Sequence, residues 1–169
     1  MKRIQRITAS AVAVGIALIT PSAQAVTSAP TASQKATLQY LVEEEKMARD
    51  VYAYISKTIT TQKFANITKA EQAHMDEISR LLKTYGFYDP TLTRKAGVFK
   101  NPELQALYNS LIKEAGTSVF GAFAVGQKIE SMDIKDLKVM LEKDMPSDMN
   151  IALNALLRGS TNHLAAFSR

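Results

Sequence analysis

The chain has 169 residues, no cysteine and a formal net charge of +5. Disulfides and thiolate metal sites are therefore excluded, and any metal ligands must come from Asp, Glu and His. The length suffices for one domain with a real core, and no basic cluster beyond the first residues points to nucleic acid.

Residues 1–25 read as a signal peptide. Lys2, Arg3 and Arg6 form a basic start, Ala11 to Ile19 is small and apolar, and Ala23-Gln24-Ala25 has the small-x-small form of a cleavage site. An uncleaved anchor competes with this reading, but the uncharged run Ile7 to Thr20 is 14 residues, against the roughly 20 that a spanning helix needs. Cleavage after Ala25 leaves 144 residues, and the loss of Lys2, Arg3 and Arg6 lowers the charge to +2. The expectation is an exported protein, periplasmic or secreted, with no membrane attachment after cleavage. Residues 26–33, rich in Ser, Thr, Ala and Pro, read as a flexible leader, and 34–169 as a helical domain.

The first helix is expected from about Gln34 to Ile59, with a stripe at Leu38, Leu41, Glu45, Ala48, Tyr52, Ile55 and Ile59. The second covers about Ile67 to Tyr85 and stops at Gly86; its stripe is Ile67, Glu71, His74, Ile78, Leu81 and Tyr85. A long connection, Phe87 to Lys100, carries the turn signal Asp89-Pro90. Asn101-Pro102-Glu103 then reads as an N-cap with proline in the first turn, opening a short helix to Ala115 that Gly116-Thr117-Ser118 ends. A third long helix runs from about Val119 to Lys143, with an interruption near Ser131 to Asp133 and a stripe at Phe123, Gln127, Glu130, Ile134, Leu137 and Leu141. The fourth begins near Ser147-Asp148 and reaches Phe167, with Met149, Leu153, Leu156, Ser160, His163 and Phe167 in phase. The fold class is all-α: four long helices in a bundle, with a short extra helix in the connection between the second and third.

Each long helix places an inward polar residue on its apolar stripe. Glu71 and His74 are three residues apart, so both side chains reach one point from the same helical face. Glu45 lies inward, while Glu43 and Glu44 at its shoulder lie further round and read as a solvated face. Glu71 has a second reading, since Thr68-x-x-Glu71 fits a capping box; a helix start nearer Phe64 makes Glu71 interior instead. Glu130 sits inside the third stripe. Asp133, three residues on, is placed either to ligate or to cap the helical stretch after it. His163 points inward, with Ser160 where a Glu-x-x-His pair would place its acid; an inward histidine also serves as an ordinary core residue. Burying these groups is costly unless a cation compensates. Glu45, Glu71, Glu130 and Asp133 with His74 and His163 suit two divalent, hard-to-borderline cations; without Asp133, five ligands hold one metal well or two poorly.

At these residues the chain resembles the ferritin-like superfamily. Glu45-Lys46-Met47-Ala48-Arg49-Asp50-Val51-Tyr52 is similar to the first-helix pattern of rubrerythrin, and Glu71-Gln72-Ala73-His74 to its second-helix Glu-x-x-His. More closely the chain resembles the ferritin-like family called domain of unknown function 2202. The segments that carry this are Glu43 to Tyr52, Glu71 to Asp76, Tyr85 to Pro90 and Arg158 to Leu164, and the likeness extends from about Leu38 to Phe167. It implies a ferritin-like four-helix bundle with a di-iron or related centre and no established reaction. Ser160 departs from the second Glu-x-x-His acid, and Gln127 stands where the earlier third-helix glutamate falls if Glu130 is aligned with the later one. Asp133 is the candidate to supply the missing carboxylate. With no cysteine, rubrerythrin's cysteine-bound iron has no ligands here.

The functional expectation is an exported metal-binding protein holding iron, with manganese or zinc as alternatives, and with oxygen- or peroxide-linked chemistry of a ferroxidase or peroxidase type by analogy of fold. Tyr52 and Arg49 are candidates to orient the ligands, against plain core for Tyr52 and a surface position for Arg49. The alternative is a non-catalytic structural or interaction bundle with a degenerate metal site. A zinc hydrolase fits less well, because no substrate cleft is marked. Oligomeric state, electron donor and substrate are not encoded in any motif.

Overall fold

A computed structural model describes residues 30–169, so the expected signal peptide and the part of the expected leader before Pro30 lie outside the described residues. Five helices follow in order, α1 (Ala32–Ile55), α2 (Gln62–Thr84), α3 (Pro102–Ala115), α4 (Val119–Leu141) and α5 (Ser147–Phe167), and there is no strand among the described residues. None of these helices is long and apolar enough to cross a membrane.

Helix boundaries correct the sequence reading on three helices. α1 reaches back into the expected leader because Thr31 and Gln34 form a reciprocal capping box: the Thr31 hydroxyl accepts from Gln34 N (3.2 Å) and Gln34 Oε1 accepts from Thr31 N (2.7 Å). α1 stops at Ile55 rather than Ile59. Ser56-Lys57-Thr58 turns out of the helix, with the Ser56 and Thr58 hydroxyls donating to Tyr52 O and Ile55 O, a competition with helical bonding expected of such side chains. Ile59 is nevertheless buried. α2 begins at Gln62, where Thr61 is the N-cap and accepts from Phe64 N. Thr68 is thus interior, its hydroxyl donating to Phe64 O (2.7 Å), and Glu71 lies beyond the first turns where a capping box would put it. Finally, α4 runs unbroken through Ser131 to Asp133. The Ser131 hydroxyl donates back to Gln127 O (2.7 Å), and Asp133 is buried instead of capping a second stretch.

At the end of α2, Gly86 adopts φ +66°, the Phe87 N–H reaches Leu82 O (2.8 Å) and the Gly86 N–H reaches Lys83 O (3.1 Å). This is a Schellman stop, and it turns the chain into the long connection. That connection is fastened to α1. Asp50 accepts from Gly97 N (2.9 Å), Glu43 accepts from Lys100 N and Asn101 N, and the buried Lys46 donates to Lys95 O (2.9 Å) with its ammonium 4.4 Å from the Phe99 ring centroid.

α1 packs on α2 and α4 on α5; α2 and α5, and α1 and α4, close the arrangement, with α3 against α1 and α4. The interior divides into two apolar layers. One gathers Val51, Tyr52, Phe64, Leu111, Val125, Ile129 and Phe167. The other gathers Leu38, Leu41, Ile78, Leu81, Leu137, Leu153 and Leu156. On each of α1, α2, α4 and α5 polar residues lie between these layers: Glu43 to Lys46, Glu71 and His74, Glu130 and Asp133, and Ser160 with His163. A polar layer therefore crosses the protein midway along its length, sealed on both sides by hydrocarbon.

Candidate metal centre

Four separate helices deliver that layer, and ordinary helical periodicity explains each contribution. Glu71 and His74 share one face of α2, and the ring's Nδ1 lies 2.9 Å from Glu71 Oε2 and 3.3 Å from Glu45 Oε2 on α1. From α5, Nδ1 of His163 lies 2.8 Å from Glu71 Oε1 and 3.6 Å from Glu130 Oε2 on α4. The imidazole planes stack at 26° with centroids 5.6 Å apart. Two three-residue groups result, Glu45–Glu71–His74 and Glu71–Glu130–His163, each offering ligand atoms within 4.8 Å of one another. Glu71 belongs to both, one oxygen facing each imidazole.

The contact between His163 and Glu71 is short but misdirected. Neither His163 Nδ1 nor Glu71 Oε1 has a hydrogen-bond partner despite their 2.8 Å separation, because the angles are wrong for a shared proton. Glu45 Oε1 and Asp133 Oδ1 are likewise buried without partners. Unpaired buried oxygens are expensive, and here the residues that carry them border one small cavity of about 10 Å³, lined by Glu44, Glu45, Glu71, Glu130 and Asp133 with Met47, Ala48, Ile129 and Met132. That space is on the order of one water molecule or ion.

Asp133 stands outside the two three-residue groups but beside them. Its Oδ2 accepts from the Ser160 hydroxyl, which also lies 2.9 Å from Leu156 O. A serine at the position of a second Glu-x-x-His acid thus leaves room for a carboxylate from the facing helix, and orients it. Tyr52, wholly buried, donates to Glu130 Oε1 (2.6 Å), leaving Oε2 toward His163. Arg49 takes a different role from the one expected. It bonds Asp50 Oδ1 (2.7 Å) and Gln72 Oε1 (2.6 Å) and touches none of the clustered carboxylates. Gln127 is also elsewhere, donating to Phe167 O at the end of α5 (2.9 Å).

The sequence reading missed Glu44. It sits three residues after Leu41 and four before Ala48, both on the inward stripe, and that spacing was the available signal. It is 4 % exposed, lines the cavity, and its Oε2 has no partner. Gly159 was missed as well. A β-carbon there would lie 2.4 Å from Cε1 and Nε2 of His74, so the imidazole occupies space that only glycine leaves open.

Charge is distributed unevenly across the cluster. Burial opposes charge on every member. Against it, His163 and then His74 hold Glu71 down at about 2. Glu45 and Glu71 push His74 up to about 10 despite its burial, and Glu130 and Glu71 push His163 to about 9 in the same way. Burial lifts Glu130 and Asp133 to about 7, although His163 and Ser160 respectively pull them back. Burial and then the Asp133 charge raise Glu45 and Glu44 well above the usual carboxylate range. Without a cation, protons neutralise this layer. Neutral imidazoles and ionised carboxylates, the forms that ligate, require a cation to replace those protons.

The chain is similar to known proteins over most of its length. Residues 34–169 match the family described as an uncharacterized protein domain, DUF2202. The uncharacterized protein MJ0754 of Methanocaldococcus jannaschii is 39 % identical over 136 residues, covering 80 % of this chain and 74 % of that protein. The crystal structure of the hypothetical protein MJ0754 superposes with a TM-score of 0.80 at 38 % identity, covering 82 % of this chain and 79 % of that one. Match length, shared identity and common fold agree, and the chain belongs to the DUF2202 family.

Proposed function

We propose that this protein is an exported, ferritin-like metal-binding protein, with α1, α2, α4 and α5 as a four-helix bundle around a paired carboxylate/histidine centre, and with iron as its metal ahead of manganese or zinc. The observation that carries the reading is Glu71. A carboxylate that presents its two oxygens to two histidines, each histidine completing a separate ligand group, is a bridging ligand in waiting. The residues fit a cation on independent grounds. Glu45, Glu71 and Asp133 each carry a buried oxygen without a hydrogen-bond partner, and the His163–Glu71 approach is close yet wrongly angled for a proton. Four carboxylates and two imidazoles without thiolate suit iron, manganese or zinc.

Glu45, Glu71 and His74 would hold one metal and Glu71, Glu130 and His163 the other, with Asp133 beside them as a further carboxylate. Bound iron would supply one-electron redox chemistry toward oxygen or peroxide. The chain's own residues prepare the site. Tyr52 fixes the free oxygen of Glu130 toward His163, and Ser160 holds Asp133 in the gap left by the absent glutamate. The apolar layers above and below exclude water.

A second reading, an inert structural bundle, has one observation in its favour: the histidines and Glu71 already neutralise one another as ion pairs. Elemental analysis of tag-free protein separates the two. The metal reading expects near-stoichiometric metal that is lost or halved in His74→Ala and His163→Ala. Metal-free wild type whose melting temperature does not move on adding ferrous iron establishes the inert bundle.

A further inference from the structure

Acidic side chains continue outward from the centre, past the groups assigned above. Asp136 lies one helical step beyond Asp133 on the same face of α4, and Glu44 meets them from α1. The Tyr40 hydroxyl lies 3.4 Å from Glu44 Oε1 and 3.5 Å from Asp136 Oδ2. Exposure rises along this line: Asp133 and Glu44 are buried, while Asp136 and Tyr40 are half-buried. Tyr40 also borders an open groove of about 440 Å³ beside the start of α3 that carries Glu43, Glu103 and Lys100.

Two of these carboxylates carry atoms that nothing among the described residues hydrogen-bonds. Glu44 Oε2 and Asp133 Oδ1 are buried without hydrogen-bond partners, while the second oxygen of each is engaged by Tyr40 and Ser160 respectively. Both residues line the same cavity of about 10 Å³. His74 favours charge on Asp133 but is itself paired with Glu71 and Glu45. Among the described residues, no ion pair includes Glu44, Asp133 or Asp136, and the buried Lys46 and neighbouring Arg49 are committed to Asp50. Three carboxylates from two helices, two with idle oxygens, make an all-oxygen binding place that shares Asp133 and the cavity with the imidazole-containing centre and adds Glu44 and Asp136 on its outer side.

We propose that Glu44, Asp133 and Asp136 form an outer subsite for a hard divalent cation, through which metal passes from the Tyr40 edge to the paired centre. The proposal rests on the metal reading above and adds a route to it. All-oxygen ligation favours ions such as Mn2+ and Fe2+ and binds them loosely enough for release inward. The carboxylates of Asp136 and Glu44 at this edge also raise the local concentration of cations and hence the rate of capture.

Stopped-flow Mn2+ uptake by the metal-free protein, paired with equilibrium titration followed by the electron paramagnetic resonance of free Mn2+, tests this. Glu44→Gln and Asp136→Asn keep side-chain shape and remove charge, and Asp136 is exposed enough for its variant to fold. Wild type is expected to bind two ions tightly and one weakly. Each variant should retain the tight pair, lose the weak ion and load about tenfold more slowly. Uptake at the wild-type rate in both variants overturns the outer subsite and leaves the paired centre standing. Loss of the tight pair in Asp136→Asn also overturns it, because Asp136 would then belong to the centre. A wild type that takes up no Mn2+ overturns both proposals.

Discussion

Gly159→Ala is the substitution on which the geometry makes a prediction opposite to general expectation. In the interior of an exposed helix, alanine for glycine stabilises by about 1 kcal/mol, and for a chain of this size each kcal/mol is worth about 2–4 °C. Here the added β-carbon falls 2.4 Å from two atoms of the His74 ring, roughly 1 Å inside ordinary contact. Either the ring withdraws or α5 shifts, and overpacking of this kind costs about 1–3 kcal/mol. The net expectation for metal-free protein is a loss of about 0–2 kcal/mol, with a melting temperature unchanged or lowered by up to about 8 °C. A withdrawn ring also loses its approach to Glu71 (2.9 Å) and Glu45 (3.3 Å), so metal affinity should fall by about 10- to 100-fold. Gly126→Ala is the matched control. Its β-carbon lands 2.8 Å from the Phe167 ring, so stability should drop while metal affinity holds. Calorimetric melts with and without Mn2+ read both quantities. A Gly159→Ala protein that melts higher and binds metal as wild type does refutes the placement of His74 against α5.

Two further outcomes follow from the electrostatics. Asp50→Ala strips the partner from Lys46, which is 1 % exposed, and frees Gly97 N and the Arg49 guanidinium; urea unfolding should show a loss of about 3–5 kcal/mol, and a loss below about 1 kcal/mol contradicts the anchoring role. The pH dependence of the metal-free and metal-loaded proteins should diverge. Folded His74 and His163, at about 10 and about 9 against an ordinary 6.5, stabilise the metal-free protein fully below pH 6.5, and that stabilisation is lost as pH rises toward 9–10. Glu130 and Asp133, raised to about 7, stabilise it at acid pH and lose their contribution as pH climbs from about 4 to 7. Since metal must displace these protons, the rise in melting temperature on adding Mn2+ should grow steadily from pH 6 to pH 9, and a rise independent of pH contradicts proton displacement.

Much of this was legible from periodicity, for a definite reason. The inward stripe on α5, from Met149 to Phe167, is buried throughout except for the half-buried His163, because a helix that packs along its whole length must keep its apolar and ligating residues in one phase. On α4 the reading was turned by about one position. Phe123, Gln127 and Ile134 are only half-buried, while Val125, Gly126 and Ile129 fill the core, and small residues such as Ala122 and Gly126 allowed close approach that a search for large side chains undervalued. Glu44 was missed because three adjacent glutamates look like a solvated face. Each of the three is buried for its own reason, since Glu43 holds the connection, Glu44 lines the cavity and Glu45 meets the histidine. Ser160 looked like a loss, and only the facing helix showed Asp133 filling the gap.

The ten residues from Glu43 to Tyr52 unite these observations. On one side of α1, Glu44, Glu45 and Tyr52 build the polar layer; on the other, Glu43, Lys46 and Asp50 fasten the connection between α2 and α3. A helix has room for both because consecutive residues diverge by about 100°, so a dense run of charges need not be a solvated surface. The two sides are mechanically joined. Lys46 is buried beside Glu45, donates to Lys95 O and pairs with Asp50, which in turn accepts from Gly97 N, so the same turn of α1 carries both the polar layer and the anchor of the connection. The length of the connection thus has a physical reason: it supplies the backbone donors and acceptors that let a strongly charged helix be buried on both sides.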